Sequence, residues 1–122
     1  MKLSHVFSFN ALVALVYAIG FVIGPNTVMG LHGLPEGETQ ALMARYFGVA
    51  LIGLGLIAWF VKDVAHPPLK DGITISLFLS SVIGFVLSIQ ATLSGQMNAL
   101  GWLPTAVYLL LTLGFCYFRF IK

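Results

Sequence analysis

Four runs of about twenty apolar residues, each bounded by polar or helix-breaking residues, dominate this chain. They cover roughly 6–23, 42–61, 73–93 and 102–120. In hydrocarbon no water can satisfy a backbone N–H or C=O, so each run has to close its own hydrogen bonds as a helix. The expected fold is therefore all-α: a single domain over residues 1–122 with four transmembrane helices in a bundle. Composition agrees, with 59% of the residues hydrophobic and only 8% charged. A soluble domain carries about 25% charged residues. The net charge of +2 provides no basic stripe, which argues against a nucleic-acid partner and leaves the lipid bilayer as the first one.

Punctuation between the runs is clear. Gly24-Pro25-Asn26 ends the first and Lys62-Asp63 ends the second. His66-Pro67-Pro68 is expected to form the next loop, Ser94-Gly95 ends the third run, and Gly101 precedes the fourth. The connection "GPNTVMGLHGLPEGETQ" is long for a loop. Pro25 is suited to open a short helix, with Val28, Met29 and Leu31 as its apolar side and Gly30 or Gly33 as its end. This predicts a short interfacial helix between the first and second spans. Pro35 is expected to open the next long helix, placing Glu36 and Glu38 in its first turn, where negative charge suits the helix dipole. Met1-Lys2 before an apolar run resembles a signal peptide. The run continues to Ile23 without a small-x-small cleavage site, so it reads as a span that is kept.

Charge sets an expected orientation. Lys2, Lys62, Lys70, Arg119 and Lys122 fall on one side, and only Arg45 falls on the other. Positive residues favour the cytoplasm, so both termini are expected there. The same imbalance argues against a dual-topology transporter. Tyr46 and Trp102 at one interface, and Trp59 and Tyr117 at the other, fit aromatic anchoring at the headgroups. The expected location is a bacterial inner membrane.

Helical periodicity gives each span one face of small or polar groups. Asn10, Ala14, Tyr17 and Phe21 share a face of the first span, and Arg45, Gly48, Ile52, Gly55 and Trp59 share one of the second. The third presents Ser81, Gly84, Ser88 and Thr92, and the fourth Thr105, Tyr108, Thr112, Cys116 and Arg119. Small residues permit close helix approach in lipid. At 1.5 Å per residue, Arg45 lies roughly 5 Å below the outer boundary, and Tyr17, Tyr108 and Ser88 roughly 7–9 Å below it. If these faces converge, Arg45, Tyr17, Tyr108 and Ser88 surround a cavity open to the outside. Asn10 and Thr112 then form a deeper polar interior. Two readings of Arg45 stay open. It binds an anionic or carbonyl group of a lipid-like ligand. Alternatively it snorkels to the headgroups or pairs with Glu38, two turns earlier on its helix.

Several function classes lose their chemistry here. Cys116 is the only cysteine, which excludes an internal disulfide and a CxxC redox pair. His5, His32 and His66 lie near membrane surfaces in three separate segments, without metal-ligand spacing, so no metal site is expected. No Asp or Glu falls within a predicted span, which disfavours proton-coupled export. No nucleophile–base set or phosphate loop can be placed, so no catalytic residue and no cofactor are expected.

The stretch "GLPEGETQALMARYFGVALIGLGLIAWF", following a first span that ends at Pro25 and a short loop helix, resembles the DoxX-like small four-helix membrane proteins and related uncharacterised families. Arg45, Gly48, Gly53 and Gly55 carry that likeness, and "GWLPTAVYLLLTLGFCYF" corresponds to the last span. The resemblance implies a four-helix bundle and an accessory role in membrane redox complexes. It supplies no catalytic residue.

The first functional expectation is a small non-enzymatic membrane protein, an accessory or assembly subunit packed against a membrane-protein partner or another copy of itself. The alternative is a binder or carrier of a lipid-like or quinone-like molecule, with an outward-facing pocket around Arg45.

Overall fold

The computed structural model describes residues 2–121. Met1 and Lys122 lie outside the described residues, so the Lys122 counted in the charge bias is not placed. The described residues form five α-helices: α1 (Leu3–Ile23), α2 (Pro25–Leu31), α3 (Glu38–Val61), α4 (Pro67–Leu93) and α5 (Trp102–Cys116). A 3-10 turn, Ala99–Gly101, leads into α5, and a π-helical turn, Tyr117–Ile121, ends it. Four helical segments are long and apolar enough to cross a membrane: Leu3–Ile23, Glu38–Val61, Pro67–Leu93 and Ala99–Ile121. The chain is an integral membrane protein, and α2 is the short helix between its first two spans.

The first three spanning helices exceed their apolar runs at their starts, and α4 does so most. Its first turn contains Pro67 and Pro68, which sequence reading assigns to a loop. Proline has no N–H to lose at the first positions of a helix, and its fixed φ suits them. The ring Nδ1 of His66 accepts a hydrogen bond from the Leu69 amide at 3.2 Å, which caps this start. At the other long helix start, α3 begins at Glu38 after an extended Gly37, so Pro35 and Glu36 precede the helix rather than open it. α2 ends after Leu31, with His32 as its cap and Gly33 at φ 74° turning the chain away, while Gly30 stays helical.

The four spans associate as two pairs, α1 with α3 and α4 with α5, and a thinner α1–α5 seam joins them. Close approach explains the first pair. Ala11, Ala14 and Ala18 of α1 face Ala41, Ala44, Gly48, Gly55 and Ala58 of α3, all buried. A Cβ on Gly48 would lie 3.0 Å from the Ala18 carbonyl oxygen, and one on Gly55 would lie 3.3 Å from that of Ala11. With lipid outside as apolar as the interface, such contact drives the pairing by dispersion.

At the end carrying the termini all four spans converge. Phe7 and Phe115 are fully buried there, edge-to-face at 5.3 Å between ring centres. Val6, Ala11, Ala58, Val61, Leu77 and Leu111 complete the cluster. Two ion pairs, each joining a half-buried cation to an exposed carboxylate, lie at this end. Lys62 Nζ lies 2.7 Å from Asp63 Oδ2, and Arg119 Nε lies 3.8 Å from Asp71 Oδ1. The Lys62 ammonium beside Asp63 holds that carboxyl below the ordinary carboxylate range. Towards the α2 end the two helix pairs separate, and α3 and α4 do not pack along their lengths.

Candidate functional site

The separation of the pairs leaves a cavity of about 410 Å³ above the aromatic cluster. That volume lies within the roughly 300–1,000 Å³ of small-molecule sites. Leu77 and Leu111, members of the buried cluster, form its floor together with Asn10. Its walls take Tyr17 and Phe21 from α1, Phe47, Leu51 and Leu54 from α3, Ser81 and Ser88 from α4, and Tyr108 from α5. From Leu77 to Ser88 along α4 the cavity is about 16 Å deep at 1.5 Å per residue. Its α2 end is covered by Val28, His32 and Leu34 and by Met97 of the second connection.

Two connections meet over that end. The Asn98 amide donates to the His32 carbonyl oxygen at 3.0 Å. The Asn98 side-chain Nδ2 donates to the Leu31 carbonyl oxygen, also at 3.0 Å, while its Oδ1 accepts from the Leu100 amide. One asparagine thus fastens the end of α2 to the turn that starts α5. Between α3 and α4 the cavity has no such cover. Phe47, Leu54 and Ser80, which line it, are exposed on the outer surface of the bundle. Its side opening faces the surroundings of a spanning helix bundle, which are acyl chains.

The polar groups inside are one histidine with asparagine, serine and tyrosine side chains, and no Lys, Arg, Asp or Glu lines the cavity. His32 is buried, with 7% of its surface accessible. Its Nδ1 lies 2.9 Å from the Val28 carbonyl oxygen, and its Nε2 lies 3.1 Å from the Tyr17 hydroxyl. A carbonyl only accepts, so Nδ1 carries the proton. In the neutral ring Nε2 is then bare, and Tyr17 donates its O–H to it. The rings continue the arrangement, with Tyr17 at 5.7 Å from His32 and stacked on Phe21 at 6.0 Å. Phe47 meets Phe21 edge-on at 5.4 Å, so one wall is an aromatic row ending in the histidine. Across from it, the Tyr108 ring lies over Gly84 of α4. Among the described residues, the side chains of Asn10, Ser81, Ser88 and Tyr108 form no hydrogen bond within the protein. Ordinarily a serine in a helix returns its hydroxyl to a carbonyl one turn back, as Ser8 and Ser76 do here. Ser81 and Ser88 do not.

The sequence-selected residues divide accordingly. Tyr17, Tyr108, Ser88 and Asn10 come together around one cavity. Arg45 is exposed and outside its lining, with Nε donating to the Val22 carbonyl oxygen at 3.4 Å, near the end of α1. Glu38 is exposed on the first turn of α3, and no ion pair joins it to Arg45 among the described residues. Thr112 is half-buried on α5 outside the lining, and its Oγ1 is a buried oxygen without a hydrogen-bond partner. His32 is the site residue that sequence reasoning left at the membrane surface. A signal for it exists: His32 follows Val28 by four positions, so it shares the apolar side of the short helix and turns inward with it. Among the described residues no group of three or more His, Cys, Asp or Glu side chains is placed to hold a metal.

No protein-family model, curated protein or solved structure matches this chain.

Proposed function

We propose that this protein binds or carries a neutral amphiphile, a lipid-like or quinone-like molecule, in the cavity between its two helix pairs. The supporting observation is the cavity's division of labour. An apolar shaft about 16 Å deep is open sideways between α3 and α4, and uncharged, partly unpartnered polar groups line it. An apolar tail suits the shaft, and a small polar head suits Tyr17, His32, Ser88 and Tyr108. No charged side chain lines it, so a phosphate or carboxylate head has no counter-ion and is disfavoured. Lateral entry from the bilayer requires no passage through water. In this reading the α2 end faces outward, as the charge bias implies, and Arg45 serves the end of α1 near the headgroups.

The test is gentle purification followed by mass spectrometry of what accompanies the protein. The expected result is a monodisperse protein carrying a neutral amphiphile, which Ser88→Phe, filling the cavity, removes while the helical signal is kept. A stoichiometric membrane-protein partner and no small molecule would instead support the accessory-subunit reading and overturn this one.

A further inference from the structure

The hydrogen-bond polarity of the Tyr17–His32 pair restricts what the head of such a ligand can be. The pair lines the cavity at its α2 end, and its protons are fixed in sequence. The Val28 carbonyl, which can only accept, takes the proton of His32 Nδ1, and in the neutral ring Nε2 then accepts from Tyr17. The Tyr17 hydroxyl has one proton and has committed it to the histidine. What it offers the cavity is its oxygen lone pairs alone. Tyr108 and Ser88, by contrast, retain free O–H groups on the same lining. A head that satisfies both kinds of group has to donate one hydrogen bond and accept another. A hydroxyl does this with a single oxygen. An ether or carbonyl oxygen can accept from Tyr108 or Ser88, but it leaves Tyr17 facing a second acceptor.

We infer that the cavity is a site for long-chain or polycyclic alcohols, with Tyr17 as the acceptor for the ligand hydroxyl and His32 as the positioning residue that holds Tyr17 in that role. The inference rests on the amphiphile-binding reading and names the head group within it. His32 acts at one remove: its bare Nε2, imposed by the Val28 carbonyl, determines which way the tyrosine proton points. Removing the imidazole frees that proton to turn into the cavity, and Tyr17 then serves acceptor heads as well.

The experiment compares dodecan-1-ol with dodecyl methyl ether, which have nearly the same tail but differ in the donor. Binding to the full chain in lipid nanodiscs is measured against empty nanodiscs to remove partitioning. The expected preference for the alcohol is about tenfold, the worth of one net hydrogen bond. Tyr17→Phe, which keeps the ring and its stacking, should reduce that preference to about twofold or less. His32→Leu should raise ether binding towards that of the alcohol while leaving alcohol binding within about threefold. A merely structural histidine would lower both alike. Equal binding of alcohol and ether to the unsubstituted protein overturns the assignment, as does a tenfold preference that survives Tyr17→Phe. If neither probe exceeds empty nanodiscs, the amphiphile-binding reading itself fails and takes this one with it.

Discussion

A Cβ placed on Gly84 would lie about 2.6 Å from the Tyr108 ring, whereas one on Gly53 would meet nothing within 4 Å. On Gly48 it would lie 3.0 Å from the backbone oxygen of Ala18. These three glycines therefore predict three different outcomes. Gly84→Val displaces a side chain that borders open space, so it should cost about 1 kcal/mol and chiefly reduce ligand capacity. Gly48→Val pushes two backbones apart and should cost about 3 kcal/mol. Gly53→Ala should be neutral, or stabilise by up to about 1 kcal/mol through helix propensity. Unfolding in a graded detergent mixture ranks them, and equal losses at Gly48 and Gly53 would contradict the packing described. The same residues mark where sequence reading stops. Periodicity places Arg45, Gly48 and Gly55 on one face of their helix, but it does not say which neighbour that face meets. It meets α1 across a nearly backbone-to-backbone contact, and Arg45 reaches the Val22 carbonyl near the end of α1 instead of the cavity.

At the scale of elements, α2 is the piece with the least packing of its own. It has seven residues, and only Pro25 and Met29 are buried within it. Its attachment comes from hydrogen bonds at its end: Tyr17 to His32, and Asn98 to the carbonyls of Leu31 and His32. Asn98→Ala removes the side-chain bond and keeps the backbone one. Hydrogen–deuterium exchange should then quicken at the amides of α2 by about five- to tenfold, equivalent to about 1 kcal/mol. Amides at the middle of α1 and α3 should not change. If α2 exchanges at its former rate, the latch is not what holds it. The existence of this helix was legible from Pro25 and the Val28–Met29–Leu31 pattern. Its latch was not, because Asn98 is 67 positions from Leu31 and nothing local relates them. Likewise, Pro67-Pro68 read as a loop because the cap that makes them a helix start is a histidine, a residue outside the usual N-cap set.

For the whole molecule, the four-span bundle followed from hydropathy, since helices are the only way for such runs to satisfy their backbones in lipid. The cavity's position needed the tertiary arrangement, which is tight at the terminal end and open towards α2. That asymmetry makes a prediction about access. A cysteine at Ser88 is buried on the lining at its α2 end, beneath the cover formed by His32, Leu34 and Met97. In Ser88→Cys protein, with Cys116 replaced by alanine, a lipid-soluble maleimide should react at least about tenfold faster than a charged, membrane-impermeant one, because burying a charged group without a partner is costly. Equal rates would mean that the α2 end, rather than the side between α3 and α4, is the way in.

The thin seam between the two helix pairs has a consequence for assembly. Each pair joins spans that are neighbours in the chain, and α1 with α3 completes its small-residue interface without help from the other pair. The two hairpins are held to each other by the Phe7–Phe115 contact, the remaining buried cluster and the Asn98 bridge. The cavity exists only in the docked form. A ligand held there would draw its affinity from that form alone and, by linkage, would stabilise the docked bundle against separation of the pairs.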